Sequence, residues 1–228
     1  MQEFNLLRAS ARVKRDVTAR MRNKEANRIA AADFGHAYFD GPREQGYGGY
    51  YYDGRWKSVA ETAKQRYALE TGQTVLDIGC AKGFFIYDLM EMIPGLNAVG
   101  LDISEYALSH AKSSIQSSLV RGNALTLPFS DNAFDAVFAI NTLHNLEQDD
   151  CLKAIKEIRR VCRHPQRCFI QVDAYRTDAE KELFEAWMLT AKTYFTPLEW
   201  KKLFEYAGYQ GDYFWTILEL EPKNTMAK

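Results

Sequence analysis

Residues 75–83 read VLDIGCAKG, an apolar run that ends in a glycine-rich turn directly before another apolar stretch. The pattern predicts a short buried strand over Thr74–Ile78 and a helix over Phe84–Met92. Gly79 permits a tight turn and the close approach of a ligand, and Gly83 lets the helix start close to the strand. This unit therefore predicts a ligand site at the carboxyl end of the strand.

Strands and helices alternate along the rest of the chain. The pattern predicts strands at Ala98–Leu101, Leu119–Val120, Phe134–Ile140, Arg167–Val172 and Tyr213–Glu221, and helices at Lys57–Leu69, Glu105–Gln116, Asp149–Arg163, Asp178–Lys192 and Pro197–Ala207. Such alternation is typical of an α/β fold with a Rossmann-like, doubly wound sheet and helices on both faces. We expect the sheet to be mostly parallel, with an antiparallel last strand.

The length of 228 residues favours one substantial domain with an extension. We expect an N-terminal segment over 1–55, made of a basic helix and a lid rich in tyrosine and glycine. The main domain then covers 56–228 and carries a helical insertion at 176–195. Within the N-terminal segment, Phe34–Trp56 is suited to fold over a ligand, or simply to anchor itself on the core through its rings.

The basic segment Arg8–Arg28 carries eight Lys or Arg residues against two acidic ones. Val13, Val17 and Met21 recur every four residues, which predicts a helix with a narrow apolar stripe. The segment then packs on the domain or on a second subunit of a homodimer. The other interpretation is contact with an anionic surface or an acidic substrate.

Composition excludes several classes of protein. The formal net charge of −1 disfavours nucleic acid as a partner. The four cysteines have no zinc-ligand spacing, so we expect reduced thiols and no metal. No apolar run has the length of a membrane span, and the N-terminus lacks a signal peptide. We therefore expect a soluble cytoplasmic protein.

Carboxylates end the first two strands of the predicted core. Asp77 lies at the end of the first strand, beside the glycine-rich turn, where a pyrophosphate site would favour glycines and backbone N–H groups without a carboxylate. A cationic, amino-acid-like ligand favours one instead. Asp102 ends the next strand, where a carboxylate can accept hydrogen bonds from both hydroxyls of a ribose. The pattern G-x-G-x-x-G is absent, which disfavours a nicotinamide dehydrogenase.

From Trp56 to the C-terminus the sequence resembles the class I S-adenosylmethionine-dependent methyltransferases. D-x-G-C-x-x-G at 77–83 and G-x-D at 100–102 match the first two signatures of that family. GNALTLPF at 122–129 resembles a segment that usually reads G-D-A-x-x-L-P-F, with Asn123 in place of the usual Asp. The stretch from Phe134 to His144 resembles the fourth strand and the loop after it.

The resemblance implies S-adenosylmethionine as the cofactor and S-adenosylhomocysteine as the product. It implies that the cofactor-binding residues are Asp77, Gly79, Cys80, Gly83, Asp102, Ile103, Asn123, Ala124 and Asn141. In Asn123 the amide oxygen can still accept a hydrogen bond from the exocyclic amine of adenine.

The acceptor side carries one candidate catalytic residue, His144, which follows the fourth strand. Its ordinary pKa suits a general base for a hydroxyl acceptor, or the ring orients the substrate without moving a proton. The candidate substrate-binding residues are Tyr47, Tyr51, Tyr52, His144, Asp173 and Tyr175. Asp173 can equally be a helix cap.

The sequence thus favours O- or N-methylation of a small-molecule acceptor. One alternative is an RNA or protein methyltransferase that uses the basic N-terminal segment. Another is a non-catalytic partner protein that binds S-adenosylmethionine and activates or positions a second enzyme.

Overall fold

A parallel sheet organises the protein, whose computed structural model describes residues 1–10 and 16–219. Its strands are β1 (Gln2–Glu3), β2 (Thr74–Ile78), β3 (Asn97–Asp102), β4 (Leu119–Arg121), β5 (Ala136–Ile140), β6 (Cys168–Ala174) and β7 (Asp212–Ile217). They lie in the order β1-β7-β6-β5-β2-β3-β4. Strand order reverses at β2, which pairs with β3 on one side and β5 on the other. Such a reversal opens a crevice at the carboxyl ends of the strands.

The orientation of the last strand differs from the prediction. β7 pairs with β6 in parallel, with Phe169 beside Asp212 and Ala174 beside Ile217, so the expected antiparallel strand is wrong. The chain between these two strands contains helices over Asp178–Trp187 and Pro197–Tyr206. A helical crossover of this length returns the chain to the edge from which β6 started, and the next strand then runs in the same direction.

Helices cover both faces of this sheet, as predicted. Among the described residues they are α1 (Val17–Met21), α2 (Lys24–Ala31), α3 (His36–Phe39), α4 (Lys57–Tyr67), α5 (Phe84–Met92), α6 (Glu105–Ser109), α7 (Gln148–Val161), α8 (Asp178–Trp187) and α9 (Pro197–Tyr206). On one face, α4 and α5 bury residues such as Ala63 and Phe85 against the strands. On the other, α7 and α9 bury residues such as Ile155 and Trp200.

Helix α8 is shorter than predicted. It ends at Trp187, because Met188 has the extended backbone angle ψ 144°. The residues after Met188 therefore leave the helix, and those up to Ala191 line a cavity described below. None of the helices in the described ranges is long and apolar enough to cross a membrane. All four cysteines are buried free thiols.

The N-terminal segment also departs from the prediction. The expected single helix is two helices, α1 and α2, separated by Asn23, whose φ of 81° lies in the left-handed region. Arg20 is 6% exposed whereas Met21 is 56% exposed, so a cation rather than the apolar stripe faces inward. Val13, the first member of that stripe, lies outside the described residues.

Candidate active site

Two adjoining cavities open at the carboxyl edge of the sheet, beside the point where strand order reverses. The Asp77 cavity, named for that lining residue, has a volume of about 630 Å³. The Asp102 cavity, named in the same way, has a volume of about 800 Å³. Gly79, Ala81, Asn141 and Tyr47 line both of them, so the two form one branched space.

Gly79 forms the partition between the cavities. Its φ is +77°, and a Cβ atom there would lie 2.1 Å from the Thr142 hydroxyl oxygen, so only glycine fits. The backbone N–H of Gly79 donates to the Leu101 carbonyl at 2.7 Å. Gly83 has a structural role instead. It starts α5 beside Ile115 and lies outside the lining that the described residues give to either cavity.

Asp102, the residue for which a ribose contact is predicted, and its neighbour Ile103 line the second cavity. The Asp102 carboxylate accepts hydrogen bonds from the N–H groups of Ala81 at 2.7 Å and Ser104 at 2.8 Å. Burial raises the pKa of Asp102, and these backbone hydrogen bonds act against the rise. Each carboxylate oxygen has a second lone pair, so Asp102 can still accept hydroxyl groups from a ligand.

Asn123 and Ala124 lie on the wall of the same cavity. The side-chain oxygen of Asn123 accepts a hydrogen bond from the Leu125 N–H at 2.9 Å, which holds the loop after β4 in a tight turn. One lone pair of that oxygen remains for a ligand donor.

Asp77 is a buried carboxylate with 4% of its surface exposed. Burial, followed by the negative charge of Asp102, raises its pKa to about 8. None of the described residues donates a hydrogen bond to the Asp77 carboxylate. Cys80 lines the same cavity, and burial raises its thiol pKa as well. The site therefore favours a cationic ligand group, which would restore the charged form of Asp77.

His144 and Asp173 form a hydrogen-bonded pair on the wall of the Asp77 cavity. The backbone N–H of Asp173 donates to His144 Nδ1 at 3.1 Å, and His144 Nε2 lies 3.2 Å from Asp173 Oδ2. Nδ1 is therefore the acceptor, which assigns the proton of the neutral ring to Nε2. Burial lowers the pKa of His144, against the opposing effect of Asp173, so the neutral ring is favoured.

A directed chain of hydrogen bonds crosses the inner wall of this cavity. Gln171 Nε2 donates to the Thr216 hydroxyl at 2.9 Å, which donates to Asn141 Oδ1 at 2.7 Å. Gln171 and Thr216 were not among the site residues predicted from the sequence. One signal was available for Gln171, because it precedes Asp173 by two residues on a strand and so shares its face.

The tyrosine- and glycine-rich segment supplies part of the lining of the Asp77 cavity. Tyr47 and Tyr51 line it, as predicted, and so does Tyr50. Tyr52 lies outside both cavities and donates from its hydroxyl to Asp88 Oδ1 at 2.6 Å. Tyr175 also lies outside, packed edge-on against Tyr194. Two of the predicted substrate-binding tyrosines thus line the cavity, and the other two lie outside it.

An ion pair ties the lid to the glycine-rich turn. Lys82 Nζ lies 2.7 Å from Asp40 Oδ2, and its side chain is 5% exposed. Asp40 also accepts hydrogen bonds from the Tyr106 hydroxyl at 2.7 Å and the Tyr50 N–H at 3.0 Å. Burial alone would raise the pKa of Asp40, but these partners and the charge of Lys82 lower it to about 2.

The sequence of residues 75–165 matches the family model of a methyltransferase domain. Among curated proteins, the chain is 31% identical over 148 residues to a demethylmenaquinone methyltransferase of Lactococcus lactis, covering 61% of this chain and 58% of that one. It is 31% identical over 180 residues to a cycloartenol-C-24-methyltransferase of Arabidopsis thaliana, covering 69% and 52%. The chain therefore spans little more than half the length of these relatives.

Solved structures share the fold. One is from the complex between the Haloferax volcanii Trm112 methyltransferase activator and its proposed methyltransferase, with TM-score 0.53, 24% identity, and coverage of 65% of this chain and 66% of that one. The MccD protein has TM-score 0.50, 21% identity, and coverage of 64% and 68%. At this identity the likeness concerns the fold alone.

Proposed function

Because the chain belongs to the class I S-adenosylmethionine-dependent methyltransferases, we propose that it methylates a small molecule bound in the Asp77 cavity. The observation that carries this proposal is the meeting of two cavities at Gly79 and Asn141. The Asp102 cavity has room for the nucleoside of the cofactor. The Asp77 cavity has room for its amino-acid part and, beyond that, for an acceptor.

The residues around the Asp102 cavity fit a nucleoside. Asp102 retains lone pairs for the two ribose hydroxyls, and Asn123 retains one for the exocyclic amine of adenine. Ile103, which is exposed in the absence of a ligand, supplies an apolar surface for the base. These contacts divide recognition between the ends of β3 and β4.

The residues around Asp77 fit the amino-acid part. A ligand ammonium group beside Asp77 would supply the hydrogen-bond donor and the positive charge that none of the described residues supplies. Gly79 allows the ligand to approach the backbone closely, because any side chain there would meet Thr142. Asn141 is held by Thr216 at the junction of the two cavities.

When bound, S-adenosylmethionine would supply an electrophilic methyl group on a sulfonium, open to in-line attack by an acceptor atom, with a thioether as the leaving group. The chain must hold the acceptor in line with that methyl group and exclude water. Tyr47, Tyr50 and Tyr51 line the same cavity and would shield an acceptor bound beside them. We assign the lid role to the segment that carries them.

His144 serves as a positioning residue in this proposal. Both of its ring nitrogens are engaged by Asp173, which leaves no lone pair directed at an acceptor. The ring instead holds Asp173 against the wall of the cavity. This assignment replaces the general-base alternative for His144 with an orienting role.

The alternative of an RNA or protein substrate depends on the basic N-terminal segment. Part of that segment is structural, because the Arg20 guanidinium donates to the carbonyl oxygens of Arg43 at 2.9 Å and Gly46 at 2.7 Å. It also stacks on Trp187, with 3.6 Å between the guanidinium carbon and the ring centroid. These contacts favour a small molecule, because they leave Arg20 buried within the chain.

Calorimetric titration with S-adenosylhomocysteine tests the proposed function. We expect binding by the unmodified chain and loss of about 2 kcal/mol of binding free energy or more in Asp102→Ala, which removes the acceptor of two hydroxyl hydrogen bonds. Radiolabelled methyl transfer to a panel of small acceptors then separates an enzyme from a non-catalytic binding partner.

Asp149→Ala is the matched control, because it removes an exposed carboxylate at the start of α7, outside both cavities. It should bind with unchanged affinity. A folded, unmodified chain that does not bind S-adenosylhomocysteine would overturn the proposal.

A further inference from the structure

The inner wall of the Asp77 cavity presents two hydrogen-bond acceptors from one strand. Gln171 and Asp173 are two residues apart on β6 and both line the cavity. Side chains at this spacing share a face of the sheet, roughly 6.6 Å apart along the strand. A ligand group between them can therefore approach both side chains.

The orientation of the Gln171 amide follows from its neighbours. The Thr216 hydroxyl donates to Asn141 Oδ1 and so must accept from Gln171, which identifies the nitrogen of Gln171 as the donor. Gln171 Oε1 is then left as an acceptor. It is buried and has no hydrogen-bond partner among the described residues. A buried acceptor of this kind destabilises the protein until a donor binds it.

Asp173 adds the other acceptor. A carboxylate can accept about four hydrogen bonds, and His144 Nε2 lies 3.2 Å from one of its oxygens. The backbone N–H of Asp173 also donates to His144 Nδ1, and this hydrogen bond helps to fix the position of Asp173 on the cavity wall. A ligand N–H can thus join the hydrogen bonds that Asp173 already accepts.

These acceptors lie on the acceptor side of the cavity, away from the ammonium site. β5 separates β6 from β2, which places Gln171 two strands from Asp77, roughly 9–10 Å across the sheet. In register, Gln171 pairs with Ile140, two residues beyond Phe138, the partner of Asp77. A cofactor ammonium bound by Asp77 therefore leaves Gln171 for another ligand.

We propose that the methyl acceptor is a small primary amine whose two N–H groups bind Gln171 Oε1 and the Asp173 carboxylate. This inference rests on the proposed function. A primary amine has two N–H groups and one lone pair, so it can satisfy both acceptors and still direct the lone pair at the methyl carbon. A hydroxyl group has one proton and can satisfy only one of them.

The charge balance of the transfer also favours an amine. The nitrogen lone pair forms the new N–C bond while the electrons of the S–C bond return to sulfur, and the positive charge moves from sulfur to nitrogen. The Asp173 carboxylate stabilises the charge where it develops. The reacting form is the neutral amine, so an alkylammonium ion first loses one proton to water before it binds. The product leaves as a secondary ammonium. A hydroxyl acceptor would need a base, and both nitrogens of His144 are engaged.

The test compares two pairs of matched probes on protein loaded with S-adenosylhomocysteine: aniline against phenol, and benzylamine against benzyl alcohol. Binding is measured by ligand-observed magnetic resonance and calorimetry, and transfer is measured with labelled S-adenosylmethionine. Because the amine makes one additional hydrogen bond, we expect it to bind about tenfold tighter than its hydroxyl partner. Only the amines should accept the label.

Variants at position 171 assign the preference to its side chain. Gln171→Met should abolish the preference for amines, whereas Gln171→Glu keeps an oxygen acceptor and should retain it. Gln166→Met, on an exposed turn, is the matched control and should behave like the unmodified chain. Melting temperatures of all variants identify any that fail to fold, and the comparison then relies on Gln171→Glu and the unmodified chain.

Equal affinity for amine and hydroxyl probes, or a preference that survives in Gln171→Met, would overturn the inference. The titration with S-adenosylhomocysteine distinguishes a wrong acceptor class from a wrong proposed function. If that ligand binds and the amine preference is absent, only the acceptor class is wrong. If it does not bind to folded protein, both the acceptor class and the proposed function fail.

Discussion

The ammonium group of Lys82 lies 2.7 Å from the carboxylate of Asp40, which joins the glycine-rich turn to the lid. Lys82 follows β2 and Asp40 follows α3, so the pair connects the floor of the site with the segment that covers it. Both side chains are largely buried. Removing one partner of a buried ion pair leaves the other charge without compensation.

The first prediction concerns this ion pair. Asp40→Asn should weaken lid closure and raise the dissociation rate of S-adenosylhomocysteine by about tenfold or more, because breaking a buried pair costs several kcal/mol. Stopped-flow displacement measures the rate. Asp150→Asn removes an exposed pair with Lys153 on α7 and should leave the rate unchanged. Equal rates in the two variants would show that the pair does not hold the lid.

A second prediction follows from the raised pKa of Asp77. With a pKa of about 8, Asp77 is mostly protonated in the free protein at pH 7, whereas a bound ammonium group favours the carboxylate. Binding therefore releases a proton, and affinity for S-adenosylhomocysteine should increase by about tenfold per pH unit below pH 8 and then level off. Calorimetry in buffers of different ionisation enthalpy counts the proton.

Asp77→Asn provides the control for this pH dependence. It should bind more weakly and lose the proton release between pH 6 and 8. If the release persists in this variant, another group is responsible for it.

The third prediction separates a positioning His144 from a general base. In His144→Asn, the amide oxygen takes the position of Nδ1 and can still accept from the Asp173 N–H, so the initial rate should stay within about tenfold of the unmodified rate. Loss of a general base typically costs 10²- to 10⁴-fold, roughly. His144→Ala should be slower than His144→Asn. Labelled methyl transfer to the acceptor found by screening gives these rates, and an equally severe loss in both variants would favour a base.

The fourth prediction concerns the turn at Gly79. Gly79→Ala adds a Cβ atom 2.1 Å from the Thr142 hydroxyl oxygen at a φ of +77° and should lower the melting temperature and abolish ligand binding. Gly72→Ala is the matched control, because Gly72 has a φ of +85° and no atom within 4 Å of the added Cβ. It carries the backbone strain, about 1–2 kcal/mol, without the clash. Similar losses of ligand binding in both variants would mean that strain alone explains the effect.

Local sequence patterns correctly predicted the strand and helix on either side of the glycine-rich turn. The bounds of β2 and α5 agree with the prediction, because an apolar run, a glycine turn and a second apolar run are all encoded by neighbouring residues. The same is true of Asp77 and Asp102, whose places at strand ends follow from the strands themselves. Both line the cavities expected of them.

Other predictions failed where distant parts of the chain decide the outcome. Arg20 faces inward because residues 43, 46 and 187 supply carbonyl groups for its guanidinium. Tyr52 turns away from the cavities because Asp88 on α5 accepts its hydroxyl proton. Periodicity within one segment contains no information about such partners.

The order of strands and helices, the glycine turn and the carboxylates at the strand ends were all predictable from sequence, because each depends on residues close together in the chain. Four features depend on contacts between distant parts of the chain: the direction of β7, the two contacts of His144 with Asp173, the ion pair of Lys82 with Asp40 and the place of Gln171 on the cavity wall. These features join residues between 29 and 45 positions apart. Their geometry arises only when the sheet brings its strands side by side and the lid closes over their ends.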